Sequence, residues 1–192
     1  MRQLIERVGN EAVYLGDGII KVDSIINHQL DPDLTRAMGD GFRAAFDAAG
    51  VQGVTRVLTA EVSGIAPALV TAAAYGVPMV FARKKPPLTL SDQVVTAASE
   101  SPTKKEKVTL HLSKEYLHPH DRVLIIDDFL ATGGTLNAMA GMVAEVGARL
   151  CGVGCVIEKL FANGRAQLSD LNVPVVSLVK IDVTDGNTLT VS

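Results

Sequence analysis

The chain reads as an α/β protein, a doubly wound and mostly parallel sheet with helices on both faces. Three observations predict this class. Short aliphatic runs alternate with helical segments of about ten to fifteen residues, which is the rhythm of strand-helix-strand units. The runs, above all Val123-Leu124-Ile125-Ile126, are apolar without polar alternation, as strands covered on both faces require. At 192 residues and 47% hydrophobic content the chain can bury a full core, so one domain spanning 1–192 is expected and disorder is excluded.

The elements follow in order. Leu34, Met38, Phe42, Ala45 and Phe46 recur at spacings of three and four, predicting a helix over 32–49 that opens with Asp31 before Pro32 and ends near Gly50. A strand over 54–59 follows, then an Ala-rich helix over 65–75 stopped by Gly76, then a short strand over 78–82. Beyond Ala82 the character changes. Arg83-Lys84-Lys85-Pro86-Pro87 opens a polar excursion without helical period that reaches about His120. The regular rhythm then resumes with a strand over 122–127, a helix over 135–146 closed by Gly147, a strand over 150–157, an amphipathic segment over 164–171 and a strand over 175–179.

Composition narrows the function classes. A net charge of -3 and a pI near 5.8 lack the basic footprint of nonspecific nucleic-acid binding. The N-terminus carries charge throughout, unlike a signal peptide, and no apolar run approaches the roughly 18 residues of a membrane span, so a soluble cytoplasmic protein is expected. Cys151 and Cys155 are expected on one face of a strand as buried thiols in a reducing compartment. With no other cysteine and no histidine near them, no protein-held metal site is expected.

The residues richest in chemistry are 123–135. Four aliphatics place Asp127 and Asp128 at the carboxyl end of a buried strand, where open α/β sheets bind ligands. Ala131-Thr132-Gly133-Gly134-Thr135 then leads into a helix whose first N–H groups have no intrahelical acceptor and suit a phosphate. The two glycines let the backbone curl round phosphate oxygens, and the threonines add hydroxyl donors. Two carboxylates beside that pocket would repel the ligand unless they faced sugar hydroxyls or a cation, which implies a ribose phosphate with Mg²⁺. A capped strand-turn-helix junction would explain the helix start but not the adjacent acids. Earlier in the chain, Glu61-Val62-Ser63-Gly64 also joins a strand to a helix, and the Ser63 and Gly64 N–H groups could face a second anion; a plain helix cap at Ser63 accounts for the same residue types.

Ile125-Ile126-Asp127-Asp128-Phe129-Leu130-Ala131-Thr132-Gly133-Gly134-Thr135 resembles the phosphoribosyl-pyrophosphate signature of type I phosphoribosyltransferases. The resemblance implies that Asp127 and Asp128 accept hydrogen bonds from the ribose 2′ and 3′ hydroxyls while Ala131, Thr132, Gly133, Gly134 and Thr135 cradle the 5′-phosphate. It implies that Ser63 and Gly64 bind the pyrophosphate, that Lys84 and Arg83 pair with it as it departs, and that Mg²⁺ arrives mainly on the substrate. A mobile loop over about 86–114 would close over the reaction centre; a partly β-structured arm with no catalytic part is the alternative.

Further matches, Ile20-Lys21-Val22-Asp23-Ser24, Asn27-His28-Gln29, Phe81-Ala82-Arg83-Lys84 and Val156-Ile157-Glu158-Lys159, resemble the branch of that family acting on xanthine. In that branch residues 1–30 and the C-terminal segment form a small hood. Ile20 would pack on the purine, Asn27 would bond its polar edge, and Lys159 would donate to the 6-oxo or N7 region. Ala131 stands where the hypoxanthine and guanine branch carries an acid, which suits the more acidic xanthine; the adenine branch reads similarly here, making adenine the second substrate choice. The resemblance also implies a homodimer with no nucleic-acid or membrane partner. A non-catalytic sensor of the activated sugar is the reading from another class, although no basic helix-turn-helix segment accompanies it.

Overall fold

The computed structural model describes residues 1–86, 94–100, 107–184 and 188–192. A helix α1 (Arg2–Glu11) and a small hairpin, β1 (Val13–Gly16) with β2 (Ile19–Lys21), precede a π-helical turn Asp23–Asn27. Then come α2 (Pro32–Ala48), β3 (Arg56–Ala60), α3 (Ile65–Tyr75) and β4 (Met79–Ala82). A second hairpin, β5 (Val94–Glu100) with β6 (Lys107–Ser113), leads to β7 (Arg122–Leu130), α4 (Gly134–Val146), β8 (Arg149–Lys159), β9 (Val175–Thr184) and β10 (Thr188–Val191).

The central sheet has the order β10-β9-β8-β7-β3-β4 and is parallel except for β10. From β3 the chain moves outward to β4, and from β7 it moves the other way through β8 to β9. The winding therefore reverses between β3 and β7, where an open sheet leaves a crevice at its carboxyl edge.

Period-two alternation sorts the strand side chains onto two buried faces. Val57, Leu124, Ile126, Val179 and Ile181 pack with α1, α2 and α3, whereas Leu58, Val123, Ile125 and Val153 pack with α4 and the β5-β6 arm. The covering helices end where the sequence demands. Asp31 accepts from the N–H groups of Asp33 and Leu34 at the start of α2. Gly76 and Gly147 take left-handed conformations behind α3 and α4. On β8, Gly152 and Gly154 leave room for two phenylalanines of α2, since a methyl group at either would come within 2.8 Å of Phe46 or Phe42. Truncating either buried ring to alanine would cost about 3–5 kcal/mol.

Three expectations need correction. Cys151 and Cys155 pack on opposite faces, because β8 carries a bulge where Val123 pairs with Leu150 but Leu124 pairs with Gly152. The extra residue, Cys151, shifts the alternation by one. Second, β7 runs on to Leu130, beyond the predicted end at 127, because Phe129 and Leu130 continue to pair with β8. Third, part of the excursion is regular: Val95 and Ser99 of β5 and Leu110 and Leu112 of β6 turn inward and are buried. Residues 87–93 and 101–106 of the expected mobile loop lie outside the described residues. Among the described residues no helix is long and apolar enough to cross a membrane.

Candidate active site

Strand pairing creates the crevice. The β3-β7 ladder stops at Leu58 with Ile125, whereas β7 continues five residues further against β8 as far as Leu130 with Glu158. Asp127 and Asp128 therefore lie on the part of β7 that has lost its β3 neighbour and faces the loop leaving β3. Two cavities meet there, sharing Ser63, Asp127, Asp128 and Thr135.

The larger cavity, about 390 Å³, is lined by the whole of 131–135 and by Ile19, Ile20, Asn27, Phe129 and Lys159. Gly133 adopts φ 84° at the start of α4, and no side chain caps that helix, so its first N–H groups face the cavity uncovered. Ile20 is both core and lining, only 5% exposed. Asn27 is the last residue of the π-helical turn and is exposed toward the opening. Lys159 reaches across from the tip of β8: its Nζ donates to the Gly18 carbonyl at 2.8 Å and stands 4.9 Å from the Phe129 ring centroid. Burial pulls this ammonium below its ordinary pKa, against the opposing charge of Asp128.

The smaller cavity, about 180 Å³, is lined by residues 61–64, Lys84 and, from the arm, Ser99, Val108 and Leu110. Gly64 is required here because a methyl group would lie 2.3 Å from Thr59 Oγ1 and 2.6 Å from Asp127 Oδ1. Gly64, and not Ser63, occupies the capping position of α3, and no side-chain cap bond forms. The Ser63 hydroxyl is thus not committed to the helix. The arm touches the 131–135 loop directly, with Ser99 Oγ 3.1 Å from Thr135 Oγ1.

Burial of Asp127, reinforced by the charge of Asp128, raises its carboxyl pKa well above the ordinary aspartate value. Its Oδ1 accepts the Asp128 N–H at 3.0 Å. An empty site thus favours a proton on Asp127, and a cation or a set of sugar hydroxyls would favour the ionised form.

Of the residues expected from sequence, Arg83 is the one the structure does not bring to either cavity. Its Nε lies 3.5 Å from Glu61 Oε2, and its backbone pairs with His111 at the root of the arm. Glu61, Ile19, Phe129 and Ser99 are lining or supporting residues that sequence reasoning missed. Phe129 could have been found, since it follows the acid pair directly. Glu61 could not, because its partners, the Lys84 N–H at 2.8 Å and Arg83, are more than twenty positions away.

The Phosphoribosyl transferase domain family matches residues 52–187, and the chain belongs to it. A xanthine phosphoribosyltransferase of Deinococcus deserti is 54% identical over 192 residues, covering 100% of this chain and 98% of the relative. A second xanthine phosphoribosyltransferase, from Bacillus licheniformis, is 42% identical and covers 99% and 96% of the two chains. Among solved structures, an adenine phosphoribosyltransferase from Rhodothermus marinus superposes with a TM-score of 0.74 at 25% identity, covering 94% of this chain and 99% of that one.

Proposed function

We propose that the chain is a purine-salvage transferase that moves the phosphoribosyl group of 5-phosphoribosyl 1-pyrophosphate to xanthine, giving xanthosine 5′-monophosphate and pyrophosphate. The observation that carries this reading is the acid pair at the junction of two cavities, one backed by a phosphate loop and a lysine, the other by a second strand-helix loop and a lysine. Identity of 54% over the full length to a relative of that name supports xanthine over adenine.

In this reading the 5′-phosphate takes the N–H groups and hydroxyls of 131–135, and the ribose hydroxyls face Asp127 and Asp128. Pyrophosphate occupies the smaller cavity against Ser63, Gly64 and Lys84; Arg83 keeps the Glu61 side chain in place instead of reaching the ligand. The purine enters the larger cavity over Ile20, with Asn27 and Lys159 at its polar edge. The bond from C1′ to the pyrophosphate oxygen breaks with its electron pair leaving on pyrophosphate, and N9 supplies the pair for the new C1′–N9 bond. Asp127 and Asp128 are the carboxylates that would face Mg²⁺ arriving on the substrate, and the ion would supply neutralisation of the leaving-group charge. Lys84 offsets the same charge, and positioning with fixed electrostatics supplies the catalysis. Ala131 offers no base at that position, so the purine either arrives readily deprotonated, as the acidity of xanthine permits, or gives its proton to another group. The working unit is taken to be a homodimer, and sedimentation at the single-chain mass of 20.3 kDa would overturn that.

The test is direct. The protein is mixed with Mg²⁺ and phosphoribosyl pyrophosphate, and nucleotide formation is followed with xanthine, guanine, hypoxanthine or adenine. Xanthine should turn over fastest. Fastest turnover of adenine would reassign the base, and none with any base would favour a sensor.

A further inference from the structure

One ion pair, a buried carboxylate held by a half-exposed arginine, lies outside both cavities and is not accounted for by substrate contact. Glu158 is 2% exposed near the end of β8, next to Lys159, and its carboxylate is held by the fork of Arg165 through Nε at 2.8 Å and Nη2 at 2.5 Å. Arg165 also donates to the Val175 carbonyl and the Ser177 hydroxyl, each at 2.8 Å, and Ser177 donates in turn to Glu158. Burial alone would push the Glu158 carboxyl upward, but the Arg165 fork and the Ser177 hydroxyl outweigh it and hold the group below the ordinary glutamate value.

The pair closes a short turn. Between Glu158 and Arg165 the chain makes a 3₁₀ turn at Leu160–Ala162, turns left-handed at Asn163 and then passes through Gly164. That turn is seated against the back of the phosphate loop. A methyl group at Gly164 would lie 2.0 Å from the Ala131 carbonyl oxygen, and one at Gly133 would lie 3.0 Å from the Gly164 carbonyl oxygen. Just beyond, the Asn137 side chain in the first turn of α4 donates to the Gln167 carbonyl at 2.9 Å. Backbone thus rests on backbone with no side chain between to absorb a shift. A bidentate guanidinium fixes direction as well as distance, which a lysine could not do.

We infer that Glu158 and Arg165 are positioning residues for the 5′-phosphate: their pairing seats the 160–165 turn, and the turn sets the curvature of the phosphate loop at Ala131 and Gly133. The inference deepens the transferase reading and rests on it. Neither residue touches the ligand, so their effect must appear as altered geometry in the loop that does.

The experiment compares wild type, R165K, R165M and E158Q for ribose 5-phosphate affinity by calorimetry and for steady-state kinetics. F46L, a core change beside Gly152 near the start of β8, serves as a control for general loss of stability. Ribose 5-phosphate affinity should fall about 10-fold or more in R165M and E158Q and partly recover in R165K, with KM for phosphoribosyl pyrophosphate rising more than kcat falls. F46L should lose stability without that loss of affinity. If an Arg165 variant fails to fold, G164A applies the same pressure from the other side of the contact and should weaken ribose 5-phosphate equally. Wild-type affinity in folded E158Q and G164A would overturn the inference. Absence of ribose 5-phosphate binding by wild type would instead overturn the transferase reading, and the positioning role with it.

Discussion

The site is made from one architectural phrase used twice, and the two uses differ. Both β7 and β3 end in a short loop that starts a helix with no side-chain cap. After β7 the loop is backed by the 160–165 turn and enters the left-handed region at Gly133. After β3 the loop has no such backing: Val62 is 71% exposed, and the adjoining basic residues are tied down by Glu61. The comparison teaches that a helix N-terminus becomes a fixed anion cradle when something rigid stands behind it. The β3 loop is fixed at its ends, where Gly64 packs on Thr59 and Asp127 and the Glu61 N–H meets the Ala82 carbonyl, while Val62 projects outward between them, which in the proposed reading suits the group that has to leave.

The sharpest way to break this comparison is at the acids both loops share. Replacing Asp127 and Asp128 together by Asn should lower turnover by roughly 100-fold or more while circular dichroism stays unchanged. Equal activity would remove the ribose assignment. Next come the two glycines. Gly133→Ala forces an alanine into a left-handed backbone and should destabilise the fold by about 1–2 kcal/mol. Gly64→Ala drives a methyl into Thr59 and Asp127 and should do so by about 1–3 kcal/mol. Gly133→Ala should weaken ribose 5-phosphate, and Gly64→Ala should weaken pyrophosphate. Calorimetry with each ligand separates them, and identical profiles would mean that the loops do not divide the substrate.

A smaller effect follows from the raised pKa of Asp127. The folded state holds that proton more tightly than the unfolded chain, so stability falls as pH rises from the ordinary aspartate value, 3.8, through the raised one. The loss is complete above it. Asp127→Asn lacks this window, and at neutral pH it should melt at a higher temperature than wild type in the absence of ligand. A variant less stable than wild type at neutral pH would show that the carboxylate is already compensated. The smallest effect belongs to Glu61. Glu61→Gln weakens a partly exposed pair and should change stability by less than about 0.5 kcal/mol while raising KM for the activated sugar about twofold, an effect that fades with salt.

How much was legible follows the range of the interactions. Helix α3 lies at 65–75 as its composition and the terminal Gly76 imply, because apolar period and a left-handed cap are local properties. Helix α1 was missed because only Leu4 and Val8 are buried on it, too thin a stripe to stand out from its charges. A β-structured arm stood only as the alternative reading, and its strands were not placed although Val108, Leu110 and Leu112 alternate with polar residues, since polar flanks masked a short strand period. The Cys151 bulge left no mark, because an extra residue in a ladder is set by the partner strand.

The glycine-threonine loop over 131–135, the acid pair before it and the alternation of buried strands were decided by the sequence alone, for each depends on residues within a few positions of one another. Tertiary structure decided which loops face each other. Only folding ends the β3-β7 ladder before the acids, turns Arg83 toward Glu61, and seats Gly164 behind Ala131. These contacts join residues separated by about twenty to seventy positions, and the entropy of closing such loops is repaid by packing that no local pattern records.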